Sequence, residues 1–321
     1  MDQKICIIGV YFGKLPNYFP LWLKSCEHNP EIDFFVFTDA SVEQTPKNVN
    51  IIPLTLEQMK ARAQSLFDFP IRLEQPYKCC DYKPLYGLIF SDYISQYHYW
   101  GHCDFDLVFG DLQRLLTEHN LYAYDRFLPL GHLSLYRNTD EVGLRYMRNG
   151  SAYDYKHVFS TDDSCVFDEM PGMTAIYRKN HFPMFTKRVF VDIATVYHRY
   201  RIIENYALDV KPVNYKDQIF YWENGKTYRA YYANGKLYTE EYLYIHFQKR
   251  PNFTVSFDVQ STRAFYITNT GFYPKTGAVT RQIIHELNPY PGKWKELYEK
   301  TRRWIRDKAK AIKRRWQRII G

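Results

Sequence analysis

The first 70 residues alternate short apolar runs with helical patterns, and this alternation constrains the fold more than any other feature. Residues 4–10 (KICIIGV) are rich in Ile and closed by Gly9 and Gly13, which reads as a buried strand. Residues 17–27 place Phe19, Leu23 and Cys26 on one side of a helix. Ile32–Thr38 (IDFFVFT) is a second strand ending at Asp39, and residues 49–54 form a third. Residues 55–67 predict a helix with Thr55 as N-cap and Gln58 completing a capping-box-like pair. Strand, helix, strand, strand, helix in this order predicts an α/β fold on a Rossmann-like sheet. Ligands of such sheets lie beyond the carboxyl ends of the strands. Tyr11, Phe12, Gly13, Lys14, Thr38 and Asp39 stand there in this chain. An aromatic, a glycine permitting close approach, a cation and a carboxylate suit a nucleotide, although each also reads as an ordinary loop residue.

Residues 77–95 predict a further helix, with Pro84 in its first turn and Leu85, Leu88, Ile89 and Tyr93 as its apolar stripe. It leads into HYWGHCDFDLVFGD, residues 98–111. An apolar strand ends here in two carboxylates one residue apart, Asp104 and Asp106. Ionised Asp is rarely buried unless it is paired or binds a metal. The pair therefore reads as holding a divalent cation against a diphosphate. A D-x-D pattern alone also fits turns and caps, and Asp111 is read as the N-cap of a helix beginning LQRLLTEH.

Downstream, residues 126–137 contain strand-like pieces around Gly131-His132. Residues 160–178 present Asp162, Asp163, Asp168 and Glu169, followed by another strand-like run. Asp162 and Asp163 read as solvated, whereas Asp168-Glu169, between Val166-Phe167 and Met170, reads as pinned near a buried surface. Asn224-Gly225 and Asn234-Gly235 are hairpin turns between aromatic strands and predict a β-meander over residues 218–247. Its last strand delivers His246, with Lys249 and Arg250 just beyond. A histidine in an aromatic strand can simply be packed, but this set also offers one metal ligand and two cations for phosphate oxygens.

Charge divides the chain. Residues 293–321 hold 12 Lys/Arg against 3 Asp/Glu, which accounts for the net +8 and leaves the body near neutral. A nucleic-acid-binding body would instead carry its basic residues on a face of the fold. Residues 294–320 predict a long basic amphipathic helix, with Trp294, Leu297, Tyr298, Thr301, Trp304, Ile305, Ala309, Ile312, Trp316 and Ile319 on one side. That pattern suits the surface of an anionic membrane, and equally a helix packed on its own domain with a charged outer face. The apolar run near the N-terminus is too short for a signal-peptide core or a membrane span. Six cysteines without a C-x-x-C pair read as reduced thiols rather than disulfides or a zinc site. The expected location is cytoplasmic, peripheral on the inner face of the cell membrane.

In combination, YFGKLPNYFPLWLKSC (11–26), FFVFTD (34–39), YKCCDYKPLYG (77–87), WGHCDFDLVFGD (100–111), LGHLSLYRN (130–138), FDEMPGM (167–173) and YIHFQKR (244–250) resemble bacterial GT-A-type glycosyltransferases of capsular-polysaccharide and O-antigen biosynthesis. The resemblance implies a GT-A-like mixed sheet with helices on both faces. It places a glycosyltransferase domain at 1–277, with a nucleotide-binding half at about 1–111 and an acceptor and sugar half at about 112–277. A basic membrane-associating tail follows at 278–321. It implies a hexosyltransferase-type enzyme using a nucleotide-sugar donor, most often a UDP-sugar, and Mn²⁺ or Mg²⁺, with a glycan or lipid-linked glycan as acceptor. Asp106 would ligate the metal, Asp104 would reach the ribose or the metal through water, and His246 would complete the metal site. Lys249 and Arg250 would bind the diphosphate. Tyr11, Phe12, Asp39 and Lys83 would lie around the nucleoside, and Gly13 and Lys14 belong to the same cofactor-binding set. If the reaction inverts, Asp168 or Glu169 is the candidate base. The alternatives are a nucleotidyltransferase or sugar-phosphate transferase on a similar sheet, or a non-catalytic binding module. The loop Gly9–Lys14 is too aromatic and too poor in glycine to make a good phosphate loop for the former.

Overall fold

The computed structural model describes residues 4–205, 207, 208, 210–250 and 253–320, without the side chains of 303, 306, 307 and 310–320. Three sheets organise the described residues. Their strands, in chain order, are β1 (Ile5–Tyr11), β2 (Ile32–Thr38), β3 (Val49–Pro53), β4 (Tyr99–Cys103), β5 (Leu107–Phe109), β6 (Arg126–Leu130), β7 (Leu133–Arg137) and β8 (Met184–Phe185). They continue with β9 (Val191–Asp192), β10 (Gln218–Glu223), β11 (Lys226–Ala233), β12 (Lys236–Tyr242), β13 (Tyr244–His246), β14 (Thr254–Val255), β15 (Ala264–Ile267) and β16 (Gly271–Pro274).

The large sheet runs β3-β2-β1-β4-β7-β6-β8. β1 pairs in parallel with both β2 and β4, β2 in parallel with β3, and β7 returns antiparallel to β4. The chain therefore travels outward from β1 through β2 to β3, then crosses back to lay β4 on the other side of β1. Between the carboxyl ends of β1 and β4 the strand order reverses. Such a switch point is where open α/β sheets leave a crevice for ligands.

Alternation along β1 sends its side chains to two cores. Ile5 and Ile7 join Trp22 and Phe19 of helix Phe19–Glu27 and Leu112, Leu115 and Leu116 of helix Leu112–Glu118. Cys6 and Ile8 meet Met59 and Ala63 of helix Leu56–Gln64, and Ile176 and Tyr177 of helix Met173–Lys179. Helices thus cover both faces, as expected of a sheet buried on both sides. Thr55 and Gln58 form a complete capping box, and Asp111 caps Leu112–Glu118 by accepting from the Arg114 N–H at 3.1 Å.

Three local expectations require revision. The helix foreseen in residues 77–95 is a chain of short turns, including Cys79–Tyr82, Tyr86–Ile89 and Ser91–Ile94. Pro84 and Gly87 weaken a continuous helix there. Gly87 is also where Trp100 lies flush, because an added Cβ would come within 2.4 Å of the indole. The strand-like run after Gly172 is helix Met173–Lys179, whose packing against β6 outweighs its β-branched content. The meander β10-β11-β12 forms antiparallel as foreseen, but it does not carry His246. The chain leaves it at Leu243, and β13 enters a separate three-stranded sheet between β5 and β9.

The last helix, Lys293–Ile320, meets the body through its first turns. Glu296 pairs with Arg199 and, at 2.8 Å, with Arg201, while Glu299 accepts from the His198 N–H at 3.2 Å. Trp294, Leu297, Tyr298, Trp304 and Ile305 are exposed, so this part of the apolar face is not packed on the domain. The predicted stripe residues Ile312, Trp316 and Ile319 lie outside the described side chains. Among the described residues no helix is long and apolar enough to cross a membrane.

Candidate active site

Asp104 and Asp106 emerge where β4 ends and β5 begins, beside the carboxyl end of β1. The residue between them explains their geometry. Phe105 turns inward against Phe19, Trp22 and Tyr11, with ring centroids 5.1, 4.8 and 5.7 Å away. Its ring lies over Gly9 of β1, where an added Cβ would come within 2.6 Å of it. Burying Phe105 turns its two neighbours the opposite way, Asp104 toward Lys83 and Asp106 toward His246.

β13 pairs antiparallel with β5, bringing Ile245 opposite Val108 and His246 opposite Leu107. Phe247 N–H donates to the Asp106 carbonyl at 3.0 Å. Gln248 then adopts a left-handed conformation, φ 58°, and the Lys249 N–H donates to Asp106 Oδ2 at 2.9 Å. His246 Nε2 faces Asp106 Oδ1 at 3.3 Å. One ligand atom from each of Asp104, Asp106 and His246 falls within 4.8 Å of the others. Two carboxylates and one imidazole, on the lip of a switch-point crevice, form a mixed O/N donor set that suits Mn²⁺ or Mg²⁺. The residues present fit such an ion.

A second constellation adjoins the first. The buried Lys83 ammonium bridges Asp104 Oδ1 at 2.8 Å and Asp168 Oδ2 at 3.2 Å, and donates to the Gly131 carbonyl at 2.8 Å. Glu169 Oε1 accepts from the Gly131 N–H at 3.3 Å. A Cβ at Gly131 would approach Asp168 Oδ2 to 2.2 Å, so only glycine lets the carboxylates close on the backbone here. Behind them Arg126, buried between the rings of Tyr136 and Tyr177, holds the Asp168 carbonyl at 2.9 Å.

The electrostatics follow from burial and proximity. Burial opposes the charge on Asp106, but His246 and the Lys249 N–H hold its carboxyl below the usual range. Burial likewise works against protonation of His246, yet Asp106 and Asp192 together raise it well above an ordinary histidine. Asp168 is pushed up to about 7, first by burial and then by Glu169 and Asp104, with Lys83 opposing. Glu169 is raised by burial. A carboxyl poised near neutrality can take or give a proton at the operating pH.

The remaining predicted residues scatter around this centre. Tyr11 lies tilted against Phe105, and the Gly13 N–H donates to Asp39 Oδ1 at 2.7 Å, closing the loop after β1 onto the end of β2. Phe12 is turned into the apolar core and Lys14 is exposed. Arg250 directs its guanidinium to the carbonyls of Ala194 and Tyr197, both at 3.2 Å, and over the Tyr200 ring. Sequence reasoning missed Gly131, Asp192 and His132. His132 stacks on His246 with centroids 4.3 Å apart, and its Nδ1 meets Tyr244 Oη at 2.9 Å. Burial and the neighbouring His246 push His132 down to about 3, so it is neutral. No local pattern assigns these residues a role, because each acts through a long-range pairing.

Residues 7–276 match the model described as "Family of unknown function (DUF6625)", and the chain belongs to that family. No curated protein matches it. Among solved structures it is similar to the galactosyltransferase LgtC in complex with donor and acceptor sugar analogues. That match has 12% identity, a TM-score of 0.32 and coverage of 58% of this chain and 75% of the other. An active-site mutant of LgtC gives 12% identity, a TM-score of 0.31 and the same coverage. Mouse xyloside xylosyltransferase 1 in its apo form gives 8%, 0.35, 59% and 87%. Likenesses this distant carry no argument about the chemistry of this chain.

Proposed function

We propose that the chain is a metal-dependent glycosyltransferase of GT-A type, moving a sugar from a nucleotide-sugar, with UDP as the nucleotide, to a glycan acceptor. The observation that carries this reading is the convergence of Asp104, Asp106 and His246 at the β1–β4 switch point, beside the Lys83–Asp168–Glu169 cluster. Asp104, Asp106 and His246 would hold a divalent cation. When bound, such an ion offsets the negative charge that develops on a departing diphosphate.

The chain's own residues do the rest. The Lys249 N–H pins Asp106, so the exposed Lys249 side chain starts from the edge of the carboxylate cluster. Lys83 orients Asp104 and Asp168 together. Asp168, buried and titrating near neutrality, is the group suited to accept the proton of an acceptor hydroxyl if the reaction inverts, and Glu169 is its neighbour in that role. The loop from Gly9 to Lys14, closed by Gly13 and Asp39, supplies a nucleoside rim rather than a phosphate cradle. The exposed Trp, Leu, Tyr and Ile residues of the basic tail support association with an anionic membrane surface, at the cytoplasmic face, where a lipid-linked acceptor of surface-polysaccharide biosynthesis would be met.

A screen of UDP- and GDP-sugars with Mn²⁺, following slow donor hydrolysis, tests the reading. Release of UDP that is lost in Asp106→Ala, with the fold intact by circular dichroism, is the expected result. Turnover unchanged in that variant would sink the proposal. Pyrophosphate as product would indicate a nucleotidyltransferase, and the absence of heat with millimolar Mn²⁺ and UDP in calorimetry would indicate a binding module.

A further inference from the structure

Asp192 lies on the two-residue strand β9, which pairs in parallel with β13 and sets Asp192 in register with His246. Asp192 Oδ1 lies 2.9 Å from His246 Nδ1, and the carboxylate is steadied by Gln248 Nε2, also at 2.9 Å. Backbone bonds fix both partners, from the Ile193 N–H to the His246 carbonyl at 3.0 Å and from the Ile203 N–H to the Asp192 carbonyl at 2.8 Å. His132 covers one face of the His246 ring. The imidazole is thus held by one nitrogen and one face, with its other nitrogen directed at Asp106.

His132, Asp192 and His246 also bring three potential ligand atoms within 4.8 Å. Their geometry argues against an ion there. The two imidazoles are stacked at an interplanar angle of 28°, so their in-plane lone pairs run nearly side by side instead of converging. The 2.9 Å separation of Asp192 Oδ1 and His246 Nδ1 is a hydrogen-bond length.

We propose that Asp192 is a positioning residue that fixes the orientation and tautomer of His246, so that Nε2 and not Nδ1 is presented to the cation. A carboxylate only accepts, so it keeps the proton on Nδ1, and its charge strengthens Nε2 as a donor. Gln248, in its left-handed turn, keeps the Asp192 carboxylate from rotating away. The inference rests on the reading of Asp104, Asp106 and His246 as a divalent-cation site.

The test is a titration of the full-length protein with Mn²⁺ alone, followed by electron paramagnetic resonance with pulsed detection of ¹⁴N coupling. Wild type is expected to bind Mn²⁺ with an imidazole ¹⁴N signal. Asp192→Ala should bind roughly 10- to 100-fold more weakly, with that signal lost or reduced. Asp192→Asn, which keeps an oxygen for Nδ1–H but not the charge, should fall between the two. Wild-type affinity and coupling in Asp192→Ala would overturn the proposal while leaving the cation site standing. If Asp192→Ala does not fold, Asp192→Asn decides: reduced affinity supports the role, and wild-type affinity with unchanged coupling overturns it. Absence of ¹⁴N coupling in wild type, with Mn²⁺ binding unchanged in Asp106→Ala, would instead remove the cation site and this inference with it.

Discussion

Gly9→Ala is the smallest change expected to disable the candidate site, although it touches none of the polar residues. The new Cβ would stand 2.6 and 2.7 Å from two carbons of the Phe105 ring. Carbon atoms rest at about 3.5–4.0 Å, so the ring would have to retreat by about 1 Å. Phe19 and Trp22 bear edge-on against that ring. The strain therefore passes to the backbone between Asp104 and Asp106. Overpacking of this kind costs about 1–3 kcal/mol, which urea denaturation should register as a lower midpoint with an unchanged slope. Mn²⁺ affinity should fall by roughly an order of magnitude, because both carboxylates move with the ring. Phe105→Leu removes the colliding atoms at a cost on the order of 1–2 kcal/mol of its own. Combined with Gly9→Ala, it should recover at least about 1 kcal/mol relative to the sum of the single changes. A Gly9→Ala protein within about 0.3 kcal/mol of wild type, or strict additivity in the cycle, would refute the reasoning.

Further outcomes are expected. His246 is held protonated well above the usual histidine range, so a cation at Nε2 must displace a proton. Mn²⁺ affinity should therefore rise with pH by about tenfold per unit until that elevated value is passed; a pH-independent affinity from titration calorimetry contradicts this. In the metal-free protein the stabilising contribution of His246 is full below its unfolded value near 6.5 and fades as pH rises through the folded one. Asp168 follows the same sign in a lower window: its folded value of about 7 exceeds the unfolded 3.8, so its contribution declines as pH rises from about 4 to about 7, and Asp168→Asn should flatten that decline in denaturation curves measured across the window. Lys83→Met, which strands two carboxylates and the Gly131 carbonyl, should cost about 3–5 kcal/mol, and a loss below about 1 kcal/mol would contradict the bridging role.

The features legible in the sequence are those with a local cause. The parallel strands announce themselves through apolar runs such as IDFFVFT, and Thr55 through its capping-box spacing. Asp104 and Asp106 stand out because charge is out of place at the end of an apolar strand, and His246 because cations follow it. The route by which His246 reaches them was not legible. Two hairpin turns suggested one continuous meander, whereas the break at Leu243 is dictated by β5 and β9 waiting to receive a three-residue strand. Asp192 sits on two residues of strand, too few for any periodicity to register. Gly131 gives no sign that a carboxylate lies where its side chain would be, since close approach is a property of the partner, and Phe105, the residue between the two aspartates, sets the direction of both through its burial over Gly9.

The Lys83 bridge has a consequence for how the crevice behaves before any ligand arrives. Asp104, Asp106, Asp168, Glu169 and Asp192 would repel one another if left to themselves, and the loops carrying them would be driven apart. The Lys83 ammonium and the protonated His246 ring act as resident counter-ions that keep the mouth in shape. A cation held by Asp104, Asp106 and His246 would have to take the place of the His246 proton and compete with Lys83 for Asp104.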